Sequence, residues 1–222
     1  RYRKLAMFYD PEINNHGLPF NPIKGLVVPR PIGWISSISA EGIGNLAPFS
    51  FFNMLSYNPA YLMISAGCKE DGSKKDTVLN IEETGEFVFN MANWDTRKSM
   101  SDTSWIDDPK IDEMLECGLT PVRGQRVKVP MVKEAPANME CVYHKTIELP
   151  GHDPESSHHM IIGRVVMVHI NDNYINQEGL VDICKIKPIA RLGYMDYCSV
   201  EEVFPMKKRT VEEKLTPEFA TK

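Results

Sequence analysis

Bulky apolar residues alternate with small or polar ones along PIGWISSIS, residues 31–39. In an extended chain Ile32, Trp34, Ser36 and Ile38 share one face, and Gly33, Ile35, Ser37 and Ser39 the other. This predicts a strand with one bulky face and one nearly bare. Aliphatic and β-branched residues at 24–28 predict a preceding strand, joined through Pro29-Arg30-Pro31, where proline excludes helix. A turn with two glycines at 40–44 leads into further extended segments at 45–56 and 60–66, so the first third reads as successive hairpins.

The period changes at SKKDTVLNIEETGEF. Ser73 and Asp76 fit a capping box, Val78, Leu79 and Ile81 form an apolar side, and Gly85 supplies a stop, which predicts a helix of about three turns. Strand pattern returns at 86–92 and helical pattern at 95–100 and 110–117, the latter ended by Gly118. Strands are expected again at 138–149, 159–170 and 181–186, with Asn171-Asp172-Asn173 as a turn. Short strands outnumber helices without alternating with them regularly, so the fold class is mainly β with short helices (α+β), a barrel rather than a doubly wound sheet. Residues 1–20 read as an irregular lead-in, 21–198 as one domain and 199–222 as a polar extension.

Composition narrows the setting. No apolar run reaches the roughly 18–20 residues that a bilayer requires, and RYRKLAMFYDPE is too weakly apolar for a signal peptide. A cytoplasmic protein without a membrane partner is expected. Five cysteines, an odd number without a CxxC pair, favour reduced thiols over a disulfide framework or zinc knuckle. A net charge of −5 argues against a nucleic-acid surface, and the one basic cluster, Lys207 to Arg209, is followed by Glu212 and Glu213 and reads as a solvated terminal segment. Neither a G-x-G-x-x-G after a strand nor a P-loop is present.

The segment VVPRPIGWISSISAEGIGNLAPFSFFN lacks any nucleophile–base or paired-carboxylate grouping. It carries instead what a phosphate-bearing aromatic cofactor requires. Ser36, Ser37, Ser39 and Ser50 supply hydroxyls, Gly33, Gly42 and Gly44 permit close backbone approach, and Arg30 offers a fork of donors for phosphate. Trp34, Phe49, Phe51 and Phe52 suit the walls of a ring slot, and Lys75, Asp76 and Thr77 open the predicted helix, whose free N–H groups favour an anion. Surface serines, an aromatic core and a simple helix cap are the alternative readings of the same residues.

The order of the residues adds to their types. PRPIGWISSIS, NLAPFSFFN and KDTVLNIEETGEFVFN, followed by IGRVV and PIARLGY, resemble the flavin reductase-like family of FMN-binding split β-barrels, in the branch with flavoredoxin and the reductase component of nitrilotriacetate monooxygenase. The resemblance runs from about Lys24 to Tyr194. It implies a homodimer with FMN in a groove near the subunit interface. It also implies FMN contacts from Arg30, Ser36, Ser37, Ala47, Pro48, Phe49, Ser50, Lys75, Asp76 and Thr77. The phosphate is assigned to Arg30, Lys75, Thr77 and one serine, and the ring edge to the backbone of residues 47–50.

A flavin that accepts hydride explains the missing catalytic grouping, and the implied activity is NAD(P)H:flavin oxidoreduction, with NADH or NADPH as reductant. The acceptor is free flavin for a partner monooxygenase, dioxygen or another redox protein. His158, five positions before Gly163, stands at an offset where related reductases carry a histidine that approaches the nicotinamide or flavin, although Ser157 stands where relatives often carry aspartate and a plain loop histidine is the alternative. His152 and His159 lie nearby without a completing ligand pattern, so no metal is expected. Gly33, where alanine is common in the family, is expected to be harmless. An electron carrier that does not oxidise a nicotinamide, a flavin sensor or store, and a pyridoxamine-phosphate oxidase remain as rivals.

Overall fold

The computed structural model describes residues 7–106 and 108–206. The basic cluster at 207–209 and the glutamates at 212 and 213 lie outside the described residues. In chain order the elements are β1 (Arg30–Pro31), β2 (Gly33–Ile38), β3 (Gly44–Phe49), β4 (Phe52–Tyr57), β5 (Ala60–Gly67), α1 (Asp76–Thr84), β6 (Glu86–Met91), α2 (Arg97–Asp102) and α3 (Glu113–Glu116). They continue with β7 (Pro121–Val122), β8 (Met131–Val132), β9 (Ala137–Leu149), β10 (His158–Ile170), α4 (Ile183–Ile186), β11 (Ile189–Arg191) and β12 (Tyr197–Ser199).

Seven strands form one antiparallel sheet in the order β3-β2-β6-β9-β10-β5-β4. Its two edges, β3 and β4, are separated in sequence only by Ser50 and Phe51. Three Cα steps span at most about 11 Å, so the sheet must roll until its edges nearly meet. The result is a mainly β split barrel, with Ser50 and Phe51 at the seam. A smaller sheet, β1-β11-β12, stands beside it.

Inside the barrel Ile35, Phe49, Phe52, Phe87 and Ile161 pack with Val78 and Ile81 from α1. A second cluster joins Ile32, Trp34 and Leu46 to Met100 of α2, Met114 of α3 and Ile189 of β11. β2 is therefore buried on both faces, and its bare face is bare because Phe52 fills it: a Cβ on Gly33 would lie 2.5 Å from Phe52 Cδ2. Trp34, fully enclosed, satisfies its indole by donating to Thr103 Oγ1 at 3.1 Å. Truncating it to alanine would cost about 3–5 kcal/mol.

Three local expectations give way to competing polar groups. Residues 24–28 form no strand. Asn21 caps a 3-10 turn at Pro22–Gly25, and Arg30 Nη1 takes the carbonyls of Lys24 (2.7 Å) and Val27 (2.9 Å) that a ladder would need. The 181–186 strand is largely replaced by α4, because Asp182 accepts from Lys185 N and caps a helical turn, which Lys187 ends at φ 54. The capping box at Ser73 does not form: its hydroxyl donates to Asp71 at 2.6 Å, and the N-cap of α1 is Lys75, which makes no side-chain cap. Gly85, left-handed at φ 75, does end α1. All five cysteines are free, and no helix among the described residues is long and apolar enough to cross a membrane.

Candidate active site at the barrel seam

Two cavities flank the seam. The first, about 580 Å3, lies between the end of β3 (Asn45, Ala47, Pro48, Phe49) and the start of α1 (Lys75, Asp76, Thr77), with Cys68, Lys69, Thr103, Ser104 and Glu113 completing its wall. It falls within the size range of small-molecule sites. At its α1 end the first N–H groups lack any side-chain cap, where helix geometry leaves donors free and the dipole is positive. Among the described residues Lys75 makes no ion pair, whereas Lys69 is paired with Asp76 at 2.7 Å. Asn45 Nδ2 donates to Thr77 Oγ1 at 2.9 Å, so the Thr77 hydroxyl keeps its own hydrogen to donate elsewhere.

Glu113 is placed by a chain of short-range constraints. Asp112 accepts from the backbone of Met114 and Leu115 and caps α3, and Gly44 leaves room for that carboxylate, since a Cβ there would collide with Asp112 Oδ2. Glu113 Oε2 then accepts from Leu46 N at 2.8 Å. Burial pushes its pKa up to about 7, against the opposing Leu46 hydrogen bond and with help from Asp112 and Asp76.

The second cavity, about 590 Å3, opens on the other side of the seam and is lined by Arg30, Ser50, Phe51, Phe52, Ser65, Met160 and His158 among others. His158 Nδ1 lies 3.2 Å from Ser65 Oγ, and its ring tilts against Phe51 at 5.6 Å. Burial holds its pKa below the ordinary imidazole value, opposed by a hydrogen bond to the Ser65 backbone and reinforced by His159, Lys24 and Lys75.

The predicted site residues therefore divide. Ala47, Pro48, Phe49, Lys75, Asp76 and Thr77 share the first cavity. Arg30, Ser50 and His158 share the second. Arg30 lines a different cavity from Lys75; its Nη1 is committed to Lys24 and Val27 and its Nη2 to Leu192 O at 3.0 Å, while its Nε makes no hydrogen bond among the described residues. Ser36 and Ser37 sit behind the cavity walls. Ser36 donates to Pro130 O at 2.7 Å, and Ser37, fully buried, accepts from Asn45 and Asn80. Neither serine lines these two cavities; Ser37 backs Asn45, which lines the first. Missed in the sequence were Asn45, Lys69 and Glu113; Asn45 is signalled only as the first residue of NLAPFSFFN, and Glu113 only by following a capping aspartate.

Comparison with known proteins identifies the fold and the family. An Aquifex aeolicus protein described as uncharacterized is 40% identical over 171 residues, covering 77% of this chain and 84% of its own length. The crystal structure of nitrilotriacetate monooxygenase component B from Bacillus cereus superposes with a TM-score of 0.83 at 30% identity, covering 92% of this chain and all (100%) of that one. Flavoredoxin of Desulfovibrio vulgaris (Miyazaki F) shares the fold at 20% identity, TM-score 0.69, over 82% of this chain and 92% of its own. Residues 25–186 match the model of the flavin reductase like domain, and the chain belongs to that family.

Proposed function

We propose that the protein is an FMN-dependent oxidoreductase that takes hydride from NADH or NADPH and passes reducing equivalents to a second acceptor. The observation that supports this most is the first cavity, where Lys75, without an ion pair among the described residues, and the uncapped start of α1 face the Ala47–Phe49 edge across about 580 Å3. FMN would supply the hydride-accepting chemistry that the side chains lack. Lys75, Thr77 and the first N–H groups of α1 are suited to its phosphate, and the backbone at 47–50 to the ring edge. Ser37 backs Asn45, which in turn donates to Thr77. Phe51 and His158 wall the second cavity, the side from which a nicotinamide would approach.

The domain proposed for this activity is 21–198, with 1–20 and 199–222 as flanks, working in the cytoplasm with its thiols reduced. Exposed Met54, Leu55 and Tyr57 on edge strand β4, with Leu26 and Val27 beside the seam, favour a homodimer through this face. A monooxygenase or another redox protein is the proposed acceptor. The visible spectrum of the purified protein, mass spectrometry of what it releases on denaturation, and anaerobic titration with NADH and NADPH test these statements together. Released FMN that bleaches stoichiometrically supports the reading. A colourless protein that does not bind added FMN removes it, and a flavin that bleaches only with a chemical reductant leaves the electron carrier.

A further inference from the structure

Glu113 sits where an ordinary carboxylate is a poor neighbour. The residue is only 5% exposed, and no cation lies within ion-pairing distance of it among the described residues. A buried, unpaired carboxylate is costly, and the cheaper state is the neutral acid. One oxygen is pinned by Leu46 N–H. The other makes no hydrogen bond to another residue among those described, and Glu113 lines the first cavity.

The same cavity collects Lys69 and Lys75 against Glu70, Asp71, Asp76 and Glu113. Asp112 also faces Glu113 from its own helix cap, Asp76 faces it from α1, and Cys117 lies one turn along α3. An incoming dianion would meet more carboxylates than ammonium groups. Neutralising Glu113, which makes no ion pair among the described residues, removes one of these charges and turns an acceptor into a donor.

We propose that Glu113 is a neutral carboxylic acid whenever this cavity holds its anionic ligand, donating a hydrogen bond from its free oxygen, so that binding takes up one proton above neutral pH. This holds only if the cavity is the FMN site proposed above. The raised pKa of about 7 agrees with it and makes the effect fall in an accessible range. The step is a protonation alone: one proton moves from solvent to Glu113 as FMN binds.

The test is the dissociation constant of FMN for the apoprotein from about pH 7 to 9, a range in which the phosphate monoester, with a second pKa near 6, stays a dianion. Wild type is expected to weaken by up to roughly tenfold per unit, the proton-linkage limit. Glu113→Gln keeps the Leu46 bond and an N–H donor while losing the titration, and should bind with a flat profile near the wild-type value at pH 7. Independently of any variant, calorimetry of wild type at pH 8 in buffers of different ionisation enthalpy should register uptake approaching one proton per FMN. FMN binding that is flat in pH without proton uptake would overturn the role of Glu113 and leave the FMN site standing, as would a slope that persists in Glu113→Gln. FMN binding at no pH would overturn both.

Discussion

Phe52 lies over the bare Cα of Gly33, so closely that a methyl group on residue 33 would stand 2.5 Å from the ring. The ring is stacked in turn on Phe89, centroids 4.8 Å apart, and cannot simply retreat. Gly33→Ala should therefore destabilise by about 1–3 kcal/mol, the usual range for overpacking. Glycine here is matched to phenylalanine at 52 rather than merely tolerated. Denaturant unfolding checks it, and the double variant with Phe52→Leu should recover part of the loss; equal stability of wild type and Gly33→Ala would show that the seam strands move apart freely.

A second carboxylate behaves in the opposite way to Glu113. Glu140 is fully buried and accepts from the backbone of Gln125, Arg126 and Val127 at 2.7–2.8 Å and lies 2.6 Å from His169 Nε2. Burial opposes its ionisation, but these hydrogen bonds outweigh it and hold the pKa down to about 2. A depressed pKa gives stability that is complete above the unfolded value and is lost as pH falls through the folded one. From 4.5 to about 2 this amounts to about 3 kcal/mol at pH 7. Urea unfolding at pH 7 and pH 3 should show the gap between wild type and Glu140→Gln shrinking by about half or more at the lower pH. A gap independent of pH would mean that shape rather than charge sets the cost.

What the sequence disclosed and withheld follows from where the controlling groups lie. Gly85 and Gly118 carry their signal locally, and the long strands β9 and β10 carry theirs in alternation over 13 residues each. Segments 24–28 and 181–186 have equally β-like side chains, but there one polar group, Arg30 or Asp182, captures the backbone. The site shows the same division. Ala47, Pro48, Phe49, Lys75, Asp76 and Thr77 were readable as a group from the family motifs and do share a cavity. Glu113 reaches it from 67 positions beyond Leu46, and no local pattern reports such a contact.

Lys75 and Arg30, alike in charge, should separate experimentally. Lys75→Ala removes a cation of the first cavity that has no ion pair among the described residues and should weaken FMN binding by roughly 10–100-fold, the range for a hydrogen bond to a charged group, with little effect on folding. Arg30→Ala removes three bonds to carbonyls that tie residues 24 and 27 to Leu192, and should cost about 2 kcal/mol of stability. FMN titration beside thermal unfolding distinguishes them. Unchanged FMN affinity in Lys75→Ala would withdraw its phosphate role, and a large affinity loss in Arg30→Ala without loss of stability would restore the fork assigned to Arg30.

His158 offers a prediction on the other side of the seam. Its ring is wedged between Ser65 Oγ and Phe51, and burial keeps it neutral at pH values where an exposed imidazole begins to charge. A neutral ring carries one N–H and one acceptor, so it can orient an amide-bearing ligand in the second cavity without repelling a cationic ring. His158→Ala should then raise the concentration of NADH needed for half-maximal anaerobic flavin reduction by about tenfold or more, for the loss of one such contact, while FMN affinity stays unchanged. Because its pKa is lowered, the wild-type rate should owe no change to this group from neutral to alkaline pH, and should respond to it only below the ordinary imidazole range. Stopped-flow reduction across pH measures both. Wild-type kinetics in His158→Ala would make it a wall residue of the seam and move the search for the nicotinamide contact to Ser65 and Met160, which line the same cavity.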